Sequence, residues 1–155
     1  PPRSHLFPYT TLCRSQLRLL ETRREVERLI ARGAARRASA DEIAQCAALA
    51  EAFAAAAGSG DATAFMRADK AFNDLSLKAA RNEFAAGAMG LMHGLSRRFW
   101  YLHYQQAADL PAMAALHGRL ASAIAARDEA AAAKALDALL DNLEEFTKAT
   151  VSVDA

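Results

Sequence analysis

Ala68-Asp69-Lys70-Ala71-Phe72-Asn73-Asp74, near the middle of a long helical pattern, decides how the chain is read. On a helix, Phe65, Asp69, Phe72, Asn73 and Ser76 fall on one face, at spacings of four, three, one and three. The two phenylalanines want the core. Asp69 and Asn73 therefore point toward the same interior, one turn apart. A carboxylate and an amide on an apolar stripe cost free energy unless something pairs with them. The partner can be a cation, a metal, a ligand or another side chain. The alternative is a wet rim where both groups are solvated.

The bulk composition narrows the fold around this stretch. The chain has 155 residues, enough for one domain with a real core. Apolar residues reach 53%, carried largely by alanine, while Gly (7) and Pro (4) are scarce, so a helical bundle is favoured over a sheet. A net charge of +1 argues neither for nucleic acid nor for membrane binding. No apolar run approaches the roughly 18 residues of a membrane span, and no segment is ordered like a signal peptide. Cys13 and Cys46 make neither a disulfide framework nor a zinc ribbon. The expected setting is the cytoplasm.

Residues 1–15 stand apart. They hold three of the four prolines, no acidic residue and no helical period. The string resembles a translated sequencing adapter; a natural linker is the alternative. Without Arg3 and Arg14 the basic count falls from 19 to 17 against 18 acids, so residues 16–155 are about neutral at −1. On the adapter reading, native sequence upstream of about residue 16 is missing.

The rest reads as helices. The first runs roughly from Ser15 to Arg37, with Arg23 and Glu27 four apart and able to pair. Ser39 or Asp41 can cap a second helix that extends to about Ala57, with Ile43, Cys46 and Phe53 inward. Gly58-Ser59-Gly60 breaks it, and Asp61 starts a third that carries the opening stretch to about Ala80. Asn82 suits a left-handed turn before a fourth, Glu83 to Gln106. There Arg97-Arg98-Phe99-Trp100-Tyr101-Leu102-His103-Tyr104 mixes bases with aromatics, read as core packing plus a pocket wall rather than a base-stacking surface. Asp109-Leu110-Pro111 enters a fifth helix, striped by Met113, Leu116, Leu120 and Ile124 with His117 beside them. A sixth runs from about Asp128 to Val151. Short connections make the sum an all-α antiparallel bundle of six or seven helices.

At this point the residues resemble a family. Asp69-x-x-Phe72-Asn73 followed by Asn82 resembles the D-x-x-F-H…N stretch of the FCD domain, the effector-binding half of FadR-type regulators in the GntR family. His117, Ile124 and Asp128 match that family's later H…AI…D segment in order and spacing. Arg23-x-x-x-Glu27, Ala34-Ala35 and Ser39 resemble its first helix. The match covers about residues 17–150.

The resemblance implies a bundle that forms a homodimer and binds a small carboxylate effector in a central cavity. It also implies no membrane association and DNA binding only through an N-terminal winged-helix domain, which is expected to be missing from residues 1–155. Many members hold a divalent metal such as zinc, nickel or manganese with one Asp and three His. Carried over by position, these are Asp69, Asn73, His117 and Leu139. An Asp, Asn and His set makes a degenerate site, because Leu139 cannot ligate. His93 or His103 can supply a missing nitrogen. Arg23 and Arg98 are candidates for a ligand carboxylate, with Tyr101 or His103 orienting it.

The expected function is thus an effector-binding and dimerisation domain of a bacterial regulator, not an enzyme. One alternative is a purely structural dimerisation bundle, against which a buried Asp69 and Asn73 would count. Another is a helical-bundle metalloenzyme, but the Glu-x-x-His pairs of such bundles are absent from the sequence.

Overall fold

The structure is a computed structural model describing residues 6–153, with side chains described over 14–150 apart from 106 and 107. Six helices follow in order: α1 (Leu6–Arg37), α2 (Ala40–Ser59), α3 (Ala62–Ala79), α4 (Glu83–Ala107), α5 (Leu110–Ala125) and α6 (Glu129–Val153). No strand occurs among the described residues. Connections of two or three residues join the helices; α3 packs on α2 and α6 on α5, while α1 against α6 and α2 against α5 close the bundle. Among the described residues no helix is long and apolar enough to cross a membrane.

Side-chain caps set the helix starts. Ser39 Oγ accepts from the Glu42 backbone N–H at 3.2 Å, and Glu42 Oε2 accepts from the Ser39 N–H at 2.9 Å. Asp61, Asn82, Asp109 and Asp128 each accept from the backbone N–H three residues on. Pro111 sits in the first turn of α5, where its missing N–H costs nothing.

Two boundaries differ from the sequence reading. α1 begins at Leu6 rather than near Ser15. Pro8 then falls in a first turn, whose N–H groups have no intrahelical acceptor, so the proline is tolerated there. Residues 1–5 lie outside the described residues. At the α3–α4 connection, Arg81 rather than Asn82 takes the left-handed conformation, at φ 50°. Asn82 is extended, at φ −134°, because its side chain is used as the cap of α4. The Arg81 guanidinium donates to both oxygens of buried Glu42, at 2.9 and 2.8 Å, which holds the uncommon backbone in place.

α5 lies at the centre and touches α1, α2, α3 and α6. Its Met113, Leu120 and Ile124 join Leu20, Phe53, Phe72, Leu136 and Leu140 in the main core. Cys46 is fully buried there, and burial beside Glu42 pushes its thiol up to about 11. The Cys13 side chain lies outside the described residues. A second cluster joins α1 to α4 through Ile30, Ala85, Met89 and Met92. α1 is also clamped to α6: the Arg24 guanidinium donates to Asp137, Asp141 and Glu144 at 3.2, 2.7 and 3.0 Å.

Candidate functional site

Two adjoining cavities lie between the helices and share one polar wall of Arg23, Asp69, Asn73, His93 and His117. The larger holds about 580 Å³ counted out to its open mouth, and Phe65, Phe99, Trp100 and Phe146 form its apolar side. The smaller, about 460 Å³ counted the same way, is bounded on its apolar side by Ile124, Leu136 and Leu139. The helical period explains the convergence. Asp69 and Asn73 are one turn apart on α3, as are Arg23 and Glu27 on α1, and each pair faces α4 and α5.

The wall contains two charge clusters. In the first, Arg23 Nε and Nη2 donate to Glu27 Oε2 and Oε1 at 3.0 and 3.2 Å. His93 Nε2 lies 2.9 Å from Glu27 Oε1. Burial alone would push the Glu27 carboxyl up, but the Arg23 guanidinium and the His93 ring outweigh it and hold it below the usual carboxylate range.

In the second cluster, Asp69 Oδ1 accepts from Asn73 Nδ2 at 3.2 Å and lies 3.2 Å from His117 Nε2. Arg97 Nε lies 3.7 Å from Asp69 Oδ2. Burial again opposes ionisation of Asp69, and His117, Arg97 and Arg23 together hold its carboxyl below the ordinary value. His117 Nδ1 is 2.8 Å from the Met113 carbonyl oxygen. A carbonyl only accepts, so Nδ1 carries a hydrogen and the ring orientation is fixed with Nε2 toward Asp69.

Two donors in the larger cavity's lining residues are unmatched. Arg97 Nε and Trp100 Nε1 are buried without a hydrogen-bond acceptor among the described residues. Asp69 Oδ2 attracts the guanidinium but is too far from Nε to accept a hydrogen bond. A buried, unpaired N–H costs free energy that an acceptor in the cavity would recover.

The structure brings Arg23, Asp69, Asn73 and His117 together, and the pairing of Arg23 with Glu27 is present. Arg98, Tyr101 and His103 do not line either cavity. Arg98 is exposed, Tyr101 is 61% exposed, and the His103 ring rests on Phe99 at 4.7 Å between centroids. The reason is register. His93, Ser96, Arg97 and Trp100 follow one another at three, one and three residues and form the inward face of α4. Arg98 is about 100° further round. Sequence reading therefore missed Arg97, and with it Gln16, Ser96 and Thr147. The signal for Arg97 was its place one turn before the indole of Trp100's face and beside the buried Met89–Met92–Phe99 stripe.

A metal held as the resemblance implies does not fit these residues. Leu139 stands buried in the smaller cavity where the third histidine would be. The Asn73 amide nitrogen donates to Asp69, and the Asp69 carboxylate is already flanked by His117 and Arg97. Among the described residues no three His, Cys, Asp or Glu side chains are grouped to hold an ion. Of the candidate set, Asp69 and His117 alone are strong ligands.

Nothing among curated proteins matches the chain. The family model of the FCD domain matches residues 18–142, a span that contains the whole polar wall together with Arg97 and Trp100. The chain belongs to the FCD family, the effector-binding domain of GntR-type transcriptional regulators.

Proposed function

We propose that this bundle senses a small organic acid whose carboxylate is received by Arg97 and Trp100. The observation that carries the reading is the pair of buried, unmatched donors, Arg97 Nε and Trp100 Nε1, in two residues that line an open cavity. A carboxylate offers acceptors to both, and its charge is met by a guanidinium. Arg23 is less suited, since two of its N–H groups are committed to Glu27. Phe65, Phe99 and Phe146 give the remaining space an aromatic lining, which favours an acid with an apolar body over a sugar acid. Asp69, held by His117 and Asn73, fixes the guanidinium from the other side and disfavours a second carboxylate nearby.

The cavities and their polar wall speak against a merely structural bundle, which would be dry and closed. In a GntR-type regulator the ligand would act by biasing the geometry that a winged-helix domain presents to DNA. A thermal-shift screen of mono- and dicarboxylates tests the reading. An acid at about 100 times its Kd adds about 2.7 kcal/mol, a rise of roughly 5–10 °C in Tm for a chain of this size. Arg97→Ala and Trp100→Phe should each lose most of that rise. A rise that survives both substitutions, or no rise with any acid, would sink it.

A further inference from the structure

Two of the residues that line the larger cavity, Gln16 and Ser96, are neutral, polar and bonded to each other. They are 8 and 7% exposed. Gln16 Nε2 donates to Ser96 Oγ at 3.1 Å and so ties α1 to α4. That bond uses only part of what the two groups offer. Gln16 keeps its carbonyl oxygen and a second N–H, and the Ser96 hydroxyl keeps its hydrogen; none of these has a partner among the described residues. With the amide turned over, Ser96 donates to it instead, and the pair again has a donor and an acceptor to spare. The Gln16 oxygen is not one of the sealed, unmatched atoms, so it stays open to a partner from outside the chain.

Other buried hydroxyls on these helices are satisfied locally. Ser76 and Thr147 turn theirs back to the carbonyl four residues before, at 2.7 and 2.8 Å. Ser96 has the Met92 carbonyl at the same spacing, and its hydroxyl is bonded to Gln16 alone. The remaining polar groups of the lining are engaged: Arg23 and His93 with Glu27, Asn73 and His117 with Asp69, Thr147 with its own helix. Apolar side chains at 16 and 96 would fill the same place without the cost of burying half-matched polar groups.

We infer that Gln16 and Ser96 form a second polar subsite of this cavity, which takes one uncharged hydroxyl or carboxamide carried by the bound acid. The inference rests on Arg97 and Trp100 receiving the carboxylate, and it narrows the ligand to a monocarboxylic acid with a single neutral donor–acceptor group on its apolar body. The group is neutral because the pair brings no charge to meet one. A hydroxyl fits, donating to Gln16 Oε1 and accepting from the Ser96 O–H; a carboxamide does the same with its N–H and its carbonyl. Ser96 is beside Arg97 and one turn before Trp100, on the order of 5–6 Å between Cβ atoms, so the two polar ends of the ligand are a few bonds apart.

Calorimetric titration of matched acids tests the subsite. Phenylacetate and hexanoate are each compared with derivatives that carry one hydroxyl or one carboxamide at successive positions along the body. At the best position the derivative should bind the wild type roughly tenfold more tightly than its parent. In Gln16→Leu with Ser96→Ala that ratio should fall to about one. Both partners become apolar together there, so neither is left unmatched and the acid-free variant should melt close to the wild type. Ser96→Ala alone should already cut the ratio severalfold. A ratio that survives either variant makes the pair a tie between α1 and α4 and overturns the inference. Parents and derivatives that bind the wild type equally also overturn it, while leaving Arg97 and Trp100 as receptors of the carboxylate. If no acid binds at all, both fall.

Discussion

Asp69 accepts from Asn73 and faces His117 and Arg97, and its charge is what the surrounding groups are arranged to hold. The same is true of Glu27 between Arg23 and His93. Both carboxyls sit below their ordinary range when folded, so the unfolded chain takes up protons first as the pH falls. Their stabilisation is present above about pH 4 and is lost on acidification through the lower, folded values. Urea unfolding should therefore show stability falling steeply below about pH 4 in the wild type. Glu27→Gln with Asp69→Asn should be less stable at neutral pH and flatter across that range; equal slopes in the two proteins would mean the clusters contribute no linkage. The neighbouring positions give a second test. Asn73, Leu139 and His117 line one cavity with Asp69, so Asn73→His with Leu139→His rebuilds a one-Asp, three-His set. The variant alone should melt lower, because a polar ring replaces a buried leucine. Zinc or nickel should raise its Tm reversibly with chelator and by far more than it moves the wild type. An equal metal response in both proteins would show that Asp69, Asn73 and His117 suffice.

Among the elements, α1 and α4 show most plainly what the sequence could and could not reveal. Five connections and six helices were legible, because caps such as Ser39, Asp61 and Asp109 leave a local signature of one side chain and one N–H. The α3 stripe was legible as well, since Phe65 and Phe72 allow a single inward direction for Asp69 and Asn73. α4 was not, because it bears two apolar stripes. Met89, Met92 and Phe99 face in, while Leu91, Leu95 and Leu102 face out. Periodicity finds both and ranks neither, so the reading fell on Arg98 rather than Arg97. α1 extends back to Leu6 despite Pro8, since a first-turn proline looks the same as a helix breaker in a bare string. The α1–α6 clamp was equally hidden, being long-range. Arg24 is 17% exposed and gathers Asp137, Asp141 and Glu144 on α6. Arg24→Ala removes three charge-assisted bonds to carboxylates and a fourth to the Asp137 carbonyl, and leaves Asp137 to Arg28. The expected loss is about 2 kcal/mol, or roughly 4–8 °C in Tm, and it should shrink with added salt. A loss within a few tenths of a kcal/mol would place these pairs among ordinary surface ion pairs.

At the scale of the whole molecule, α4 takes part both in the cavity and in an exposed apolar stripe. Ser96, Arg97 and Trp100 line the cavity, and Leu91, Leu95 and Leu102 lie on the opposite side. A helix is stiff along its axis, so a ligand that draws Arg97 and Trp100 toward its carboxylate moves the outer stripe with them. If the outer stripe pairs two copies, ligand binding and dimerisation share a coupling free energy, and linkage makes the coupling reciprocal. Couplings of this kind are about 1–3 kcal/mol, a factor of roughly 5–150 in a dissociation constant. The dimer constant measured by sedimentation should then change by such a factor when the acid that raises Tm is added. A Leu91→Glu, Leu95→Glu variant that sediments as a monomer should bind the acid with an affinity altered in the direction reciprocity requires. A dimer constant indifferent to ligand, with equal ligand affinity in wild type and variant, would mean that α4 accommodates the acid by side-chain rotation alone. The signal to a DNA-binding domain would then have to leave the bundle by another helix.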